Sequence, residues 1–597
     1  MAIKERIAKL RELMERDGID IYMVPTADFH NSEYVGEHFK ARVFMSGFTG
    51  SAGTLVVTKD YAGLWTDGRY FLQAEQQLEG SGIELCRMFN PGVPTTTEFI
   101  EKNIPEGGVL GFDGRVVTFG EGKTLSEKLK AKNATIKYEV DLVDEIWEDR
   151  PELSKRKAFY LDVDLAGETA TSKLERVRKE MKEAGANIHI ITSLDDTGWL
   201  LNIRGMDVDF FPLLLSYTVV FEDHVDLYVD ESKFSDEIKA NLAKDNVVIK
   251  PYNQIYEDIK GFKSEDVVLV DPARLNFAIF SNIPEGVKLV EKRNPTVLMK
   301  AIKNDVEIKN IKEAHVKDGA AHTKFIYWLK ELVKSGEIAN ETELSASARL
   351  EKFREEQGGF ICPSFDPICG HGPNGAIVHY SSSEETNRAL TPNTLFLTDT
   401  GANFSQGSTD ITRTTALGEI SDRMKRDYTR VLQCHLRLSR LKFKEGISGP
   451  NVDLFARAPL WYDYEDYNHG TGHGVGFLGN IHEGPAGIHW SIARSVEPFK
   501  AGMVLTNEPG LYIAGSHGIR LENEILVKAT VKNEYGQFLE FEPITYVPWD
   551  LEAIDVDLLT SEDKYELNKY HKEVYDIIAP KLTEEERAWL KEATREV

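Results

Sequence analysis

Five side chains from three separated segments set the chemistry available to this chain. Asp399 and Asp410 fall within Leu397–Thr415, and His473 lies in the run His469-Gly-Thr-Gly-His473-Gly-Val-Gly inside Asn468–Pro485. Glu508 and Glu522 fall within Thr506–Glu524. One neutral imidazole and four carboxylates make a hard, oxygen-rich donor set, which suits two adjacent divalent cations better than one zinc held by thiolates. A metal pair can share and activate a hydroxide and polarise a carbonyl, the equipment for hydrolysing an amide.

Singly, each of these residues has a structural reading. Asp399 and Asp410, eleven residues apart, could be turn or solvated-face residues, and a lone His473 is commonly a hydrogen-bonded structural histidine. Glu508 before Pro509-Gly510 reads as a turn residue, and Glu522 beside Arg520 as half of a surface ion pair. Gly472 and Gly474 remove side chains on both sides of His473 and let backbone or ligand approach. The glycine-rich run lacks both a GK[ST] ending and GxGxxG spacing, which argues against phosphate. The combination, in this order, favours the metal reading.

These residues need elements to position them. Thr394–Asp399 and Ser408–Thr414 are expected as strands joined by a short turn containing Ser405-Gln-Gly407, a hairpin that can point both aspartates to one face if the register allows. A long helix is expected from Asn304 to about Ser335, and a second begins at a capping box Asn340-Glu-Thr-Glu343 and runs to Gly358-Gly359. Pro363–Tyr380 reads as loop and strand, Ile420–Leu441 as an amphipathic helix, and Pro580 onward as a charged surface helix. Upstream, residues 3–17 form a helix with Ile7, Leu10 and Leu13-Met14 at helical spacing. Asp20–Val24, Gly53–Thr58 and Ala62–Thr66 are strands, followed by a turn at Asp67-Gly68. Glu168–Ala184 (helix) and Asn187–Thr192 (strand) repeat that opening, with Trp199 and Arg204-Gly205 echoing the Trp65 and Arg69 turn. Three domains are expected, at residues 1–155, 156–303 and 304–597.

At 597 residues the chain is too long for a single core. Its 41% hydrophobic and 28% charged content is that of an ordinary globular protein. A net charge of −26 argues against nucleic acid or anionic membrane as a partner. The N-terminus starts as an amphipathic helix with no apolar leader core, and the longest apolar run, Phe210–Phe221, is too short to span a bilayer. Four scattered cysteines without a CxxC pair read as the reduced thiols of a cytoplasmic protein.

The motifs Leu397-Thr-Asp399-Thr-Gly, Thr409-Asp410-Ile-Thr-Arg-Thr, His469-Gly-Thr-Gly-His473-Gly-Val-Gly, Ile481-His482-Glu-Gly-Pro, Asn507-Glu508-Pro-Gly and Gly518-Ile-Arg-Leu-Glu522-Asn resemble those of the pita-bread metallopeptidases. Gly375-Ala-Ile-Val-His379-Tyr380 and the HGTGHG form narrow the resemblance to the aminopeptidase P (Xaa-Pro aminopeptidase) family. Trp65-Thr-Asp-Gly-Arg-Tyr, Trp199-Leu-Leu-Asn-Ile-Arg-Gly and Phe541-Glu-Pro-Ile-Thr-Tyr-Val-Pro extend it to the long, three-domain cytosolic type, over essentially the whole chain. The resemblance implies two creatinase-like α/β domains followed by an α+β pita-bread catalytic domain. It implies two divalent metal ions, manganese by family precedent, with Asp399 on one metal, Asp410 and Glu522 bridging, and His473 and Glu508 completing the other shell. It casts Glu508 as general base, His379, His469 and His482 as non-ligand histidines that contact substrate and intermediate, and Arg520 as an arginine near the ligand carboxylates. The expected substrates are peptides with proline second, and the expected assembly is a homodimer. Thr400, where many members have Ser, and His517 depart from the pattern without touching a ligand position. A prolidase-type dipeptidase and a non-enzymatic peptidase-like binding module are the alternatives; retention of all five ligand positions disfavours the second.

Overall fold

The computed structural model describes residues 1–492 and 497–597. The chain divides into two compact units, one of Met1–Leu161 with Thr169–Thr296 and the other of Asp162–Glu168 with Val297–Val597.

The first unit is built around two six-stranded sheets. The helix Ile3–Asp17 buries Ile7, Leu10 and Met14 on one face and stops at Gly18, whose φ of 66° suits glycine. The first sheet contains β1 (Ile21–Pro25), β2 (Thr54–Thr58), β3 (Ala62–Thr66), β4 (Glu84–Arg87), β5 (Val109–Gly111) and β6 (Thr135–Lys137), in the order β4-β3-β2-β1-β5-β6. The second contains β7 (Ile188–Ile191), β8 (Ser216–Phe221), β9 (Val225–Val229), β10 (Val247–Lys250), β11 (Val267–Val270) and β12 (Lys288–Glu291), in the order β10-β9-β8-β7-β11-β12. Parallel and antiparallel pairings match strand for strand. The repeat expected from helix-then-strand openings is thus a repeat of whole sheets. The two tryptophan segments are not equivalent, however. Trp65 lies in β3, whereas Trp199 lies in the helix Leu194–Leu200 directly after β7.

The second unit carries the segments singled out above. Asn304 caps the helix Asp305–Ser335 by accepting from Val306 N and Glu307 N. The next helix is Glu343–Glu355, capped by Thr342 and Ser345; Asn340 instead closes a short 3-10 turn, so the cap lies two residues beyond the expected one. The strands β13 (Ile368–His371), β14 (Thr394–Thr400) and β15 (Ile411–Leu417) form one antiparallel sheet. A second holds β16 (Lys442–Lys444), β17 (Val504–Asn507), β18 (Asn523–Asn533) and β19 (Gly536–Pro543), in the order β16-β19-β18-β17.

The connection from β14 to β15 is not a simple turn. The chain detours through Ala402–Phe404 and Gly407–Ser408, which pair in a different sheet, and Asp410 falls just before β15. The helix Asp422–Ser439 presents Tyr428, Val431, Leu432 and Leu436 to the core. The charged surface helix expected from Pro580 onward is Glu584–Ala593, largely exposed, whereas the helix before it is more deeply built in. Ser561–Ile578 buries Leu567, Val574 and Ile578, and Glu584–Ala593 buries Leu590 in the same core as Tyr428 and Trp549.

Candidate metal centre

The carboxylates sit where strand pairing ends. Asp399 is the penultimate residue of β14, Asp410 precedes β15, Glu508 follows β17, and Glu522 precedes β18. Backbone bonds stitch the segments together: Glu522 N donates to Thr412 O at 3.1 Å, and Glu508 N to Thr471 O at 2.8 Å. Thr412 Oγ1 donates to Glu522 Oε2 at 2.6 Å.

His473 occupies a two-residue strand, Gly472–His473, paired with Gly487–Ile488. A Cβ on Gly472 would lie 1.9 Å from Thr506 O, and one on Gly474 would lie 2.1 Å from Glu483 O. The glycines flanking His473 therefore admit neighbouring backbone. The His473 backbone N donates to Thr506 Oγ1 at 3.0 Å, and its ring Nδ1 donates to Gly474 O at 3.0 Å. That bond selects the tautomer and leaves the Nε2 lone pair facing Asp410 Oδ2 and Glu508 Oε1, each at 3.6 Å.

Donor atoms of Asp410, His473 and Glu522 all lie within 4.8 Å of one another. Asp399 approaches the group from the other side, gripped by Arg520 through Nη2 and by Nε at 3.0 Å. Oδ1 of Asp399 and Oδ1 of Asp410 are buried without a hydrogen-bond partner among the described residues. Burial, then repulsion from Glu522, Asp399, Glu508 and Glu524, pushes Asp410 well above the usual carboxylate range. Burial, then Glu508 and Asp399, does the same to Glu522, and burial lifts Glu508 to about 7. Such a set is unfavourable without added positive charge, and its hard oxygens with one imidazole nitrogen fit divalent cations.

The other predicted residues gather around this group. The His482 ring meets that of His473 edge to face at 4.3 Å. Glu483, next to it, is buried and paired with Lys303 and, at 3.9 Å, with Lys300. His469 Nδ1 lies 3.9 Å from Glu508 Oε2. Burial, with Arg520, then Arg457 and His379 adding to it, brings His469 down to about 3 and keeps it neutral. Arg520 Nη1 donates to Tyr512 OH at 2.7 Å, and Tyr512 OH donates to His469 Nε2 at 2.8 Å. An unbroken chain of contacts therefore runs Asp399–Arg520–Tyr512–His469.

Sequence reading missed Tyr512, and it missed two arginine hubs. Arg457, on the helix Gly449–Trp461, binds Asp453 Oδ2 at 2.7 Å, Tyr467 O at 2.6 Å and His469 O at 2.7 Å, while Thr471 Oγ1 donates to Asp453 Oδ1 at 2.6 Å. Arg413 donates to Thr412 O at 2.8 Å, Glu522 O, Asn523 Oδ1 at 2.8 Å and Val547 O at 2.8 Å, with its guanidinium 3.7 Å over Trp549. Arg413 thus ties the backbones of Thr412 and Glu522 to the C-terminal segment. The only available signal was Arg413's place in the Thr-Asp-Ile-Thr-Arg-Thr motif.

Comparison with known proteins agrees over the full length. Family models for the Creatinase/Prolidase N-terminal domain match residues 6–146 and 149–307, the metallopeptidase family M24 model matches 309–529, and the model of that family's C-terminal region matches 537–597. Aminopeptidase P2 of Arabidopsis thaliana is 40% identical, over 98% of this chain and 87% of its own. Xaa-Pro aminopeptidase 1 of Dictyostelium discoideum is 38% identical, over 97% of this chain and 94% of its own. The crystal structure of an X-prolyl aminopeptidase from Caenorhabditis elegans, described as a cytosolic enzyme with a di-nuclear active site, matches with a TM-score of 0.94 at 34% identity over 100% of both chains. Two creatinase-type N-terminal domains, an M24 catalytic domain and relatives of one kind along the whole length place this chain in metallopeptidase family M24, among the Xaa-Pro aminopeptidases.

Proposed function

We propose that the chain releases the first residue from peptides whose second residue is proline, with two divalent cations held by Asp399, Asp410, His473, Glu508 and Glu522. The observation that carries this is the buried carboxylate cluster around one imidazole lone pair, with two carboxylate oxygens left without hydrogen bonds. Bound cations supply Lewis acidity and lower the pKa of water. Glu508, facing both His473 and His469, takes a proton and passes it toward the departing proline nitrogen. His482 stands beside His473 to stabilise the developing oxyanion. His469 and His482 are the residues expected beside the pyrrolidine ring, His379 acts on His469 through its charge, and Arg520 orients Asp399 and Tyr512.

Manganese is the favoured ion, because oxygen donors outnumber nitrogen four to one in this ligand set. The partition into domains 1–155, 156–303 and 304–597 follows the repeat of the two sheets and the cap at Asn304. A cytoplasmic setting is supported by four cysteines carried as thiols; no helix among the described residues is long and apolar enough to cross a membrane. A homodimer is supported by the helix Gly449–Trp461 and the turn after it, which expose Leu454, Phe455, Trp461, Tyr462 (77%) and Tyr464 (99%). Sedimentation of the chain at micromolar concentration should give the mass of two copies.

The deciding experiment incubates purified chain with an Xaa-Pro-Xaa tripeptide and identifies the products by mass spectrometry. Release of free Xaa, abolished by EDTA and restored best by Mn²⁺, is expected. Cleavage of Xaa-Pro dipeptide but not of the tripeptide would overturn the reading in favour of a dipeptidase.

A further inference from the structure

Two threonines flank the aspartates without belonging to the donor set. Thr400 follows Asp399, Thr409 precedes Asp410, and both are fully buried. Their hydroxyls meet on a single ion pair. Arg354 Nε donates to Asp318 Oδ1 at 2.8 Å and Nη2 to Asp318 Oδ2 at 3.1 Å, with both side chains almost wholly shielded from solvent. Thr409 Oγ1 donates to Asp318 Oδ2 at 2.5 Å and accepts from Ala402 N at 2.9 Å. Thr400 Oγ1 accepts from Arg354 Nη2 at 3.0 Å. His322 Nε2 completes the cluster, accepting from Arg354 Nη2 at 3.1 Å. Asp318 and His322 come from the helix Asp305–Ser335, and Arg354 from Glu343–Glu355.

The location gives the cluster its meaning. The β14–β15 ladder ends at the pair Thr400↔Ile411, so Asp410 lies just outside the paired register. Between them the chain departs through the detour 402–408 and returns. Backbone pairing alone therefore does not set the spacing of the two aspartates. A bidentate Arg–Asp pair, anchored on two helices and reaching one hydroxyl beside each aspartate, does so. Buried ion pairs contribute little net stability, and geometric specificity is a better-supported use for them. The role proposed above for the five ligands leaves this pair without one.

We propose that Asp318 and Arg354, acting through Thr409 and Thr400, are positioning residues that hold Asp399 and Asp410 at the separation a pair of divalent cations requires; this rests on the metallopeptidase reading above.

The test uses Thr400→Val and Thr409→Val, which keep shape and remove one hydroxyl, beside Thr400→Ser and Thr409→Ser, which keep it. Mn²⁺ binding to the metal-free full chain is followed by titration calorimetry, with melting temperature recorded on the same samples. The valine variants should bind Mn²⁺ about 10- to 100-fold more weakly, the range for lost supports behind metal ligands, with the serine variants close to wild type. Peptidase activity of the valine variants should recover as Mn²⁺ is raised. Valine variants that bind both ions with wild-type affinity, whatever their melting temperature, would overturn the proposal, as would serine variants as impaired as the valine ones. Failure of the wild-type chain itself to bind Mn²⁺ would instead overturn the metallopeptidase reading, and is seen in the control before any variant is compared.

Discussion

The two sides of the metal centre are built by opposite means. Asp399, Asp410 and Glu522 stand at the ends of long ladders, where seven-residue β14 and β15 and eleven-residue β18 supply stiff backbone. Their charges repel, and stiff strands backed by the Asp318–Arg354 pair hold them together regardless. His469 and His473 stand on a glycine-rich run with only two residues in strand, and side chains from elsewhere hold that run in place. Repelling groups need a rigid frame, whereas neutral imidazoles can be placed by hydrogen bonds that they themselves make. On the carboxylate side, losing a charge relaxes the metal-free chain. On the imidazole side, losing a support collapses it.

Glu508 touches both sides and should give the largest effect. Glu508→Gln keeps the shape and removes the proton acceptor, and loss of general base catalysis costs about 10²–10⁴ in rate. The expected result is a drop of that size in kcat on an Xaa-Pro-Xaa peptide with Mn²⁺ saturating; near-normal turnover would remove Glu508 from its role.

Arg457→Met attacks the imidazole side from behind. It leaves Asp453 buried without its cation and frees the carbonyls of Tyr467 and His469. Truncating one partner of a buried pair costs about 3–5 kcal/mol, so denaturant unfolding of the metal-free chain should show a loss of that order. Asp410→Asn should act in the opposite direction. It removes one member of a mutually repelling, buried set whose proton affinity is raised by burial and by Glu522, so its loss relieves the metal-free chain at neutral pH. The metal-free Asn variant should therefore melt higher than wild type, yet gain almost nothing when Mn²⁺ is added. A lower melting temperature for metal-free Asp410→Asn would erase the distinction between the two sides.

How far the sequence foretold this depends on how far apart the partners lie in the chain. The candidate ligands could be proposed from sequence because each motif is local, and Asn304 marked its helix because a cap is decided within four residues. The strands expected around Asp399 and Asp410 do pair, but the short turn expected between them is a detour in which Ala402–Phe404 pair with Phe360–Pro363 and with Gly407–Ser408, a contact no local pattern announces. The cap at Thr342 was legible in Thr342-Glu-Leu-Ser345, but Asn340 offered a competing candidate two residues earlier. Arg413, Arg457, Asp318 and Arg354 were invisible in their roles because each reads as an ordinary charged residue on a helix or strand. Partners such as Val547 for Arg413 and Thr409 for Asp318 lie far along the chain, and those of Arg457 include carbonyls 10 and 12 residues on that carry no side-chain signal. The last helix was legible as surface because charge dominates its composition and only Leu590 is buried, whereas the packing of Leu567, Val574 and Ile578 just before it went unread.

The smallest effect sharpens the comparison from behind the carboxylate side. His571 is buried there, its Nε2 accepting from Trp549 N at 3.1 Å, and burial, helped by the charge of Arg413, brings it down to about 3. An unfolded chain protonates this histidine from about pH 6.5 downward, whereas the folded chain leaves it neutral until about 3. Within that window the unfolded state binds more protons, so stability rises with pH and is lost as pH falls. At pH 5.5 the share from one such histidine is about 1 kcal/mol. His571→Gln keeps an acceptor for Trp549 N but cannot titrate, while buried His322, His371 and His435 remain unchanged in both chains and cancel. Between pH 7 and pH 5.5 wild type should therefore lose about 1 kcal/mol more than the variant in urea unfolding. Equal losses would mean that His571 takes up its proton without unfolding, and that the cationic hub at Arg413 does not keep its neighbourhood neutral.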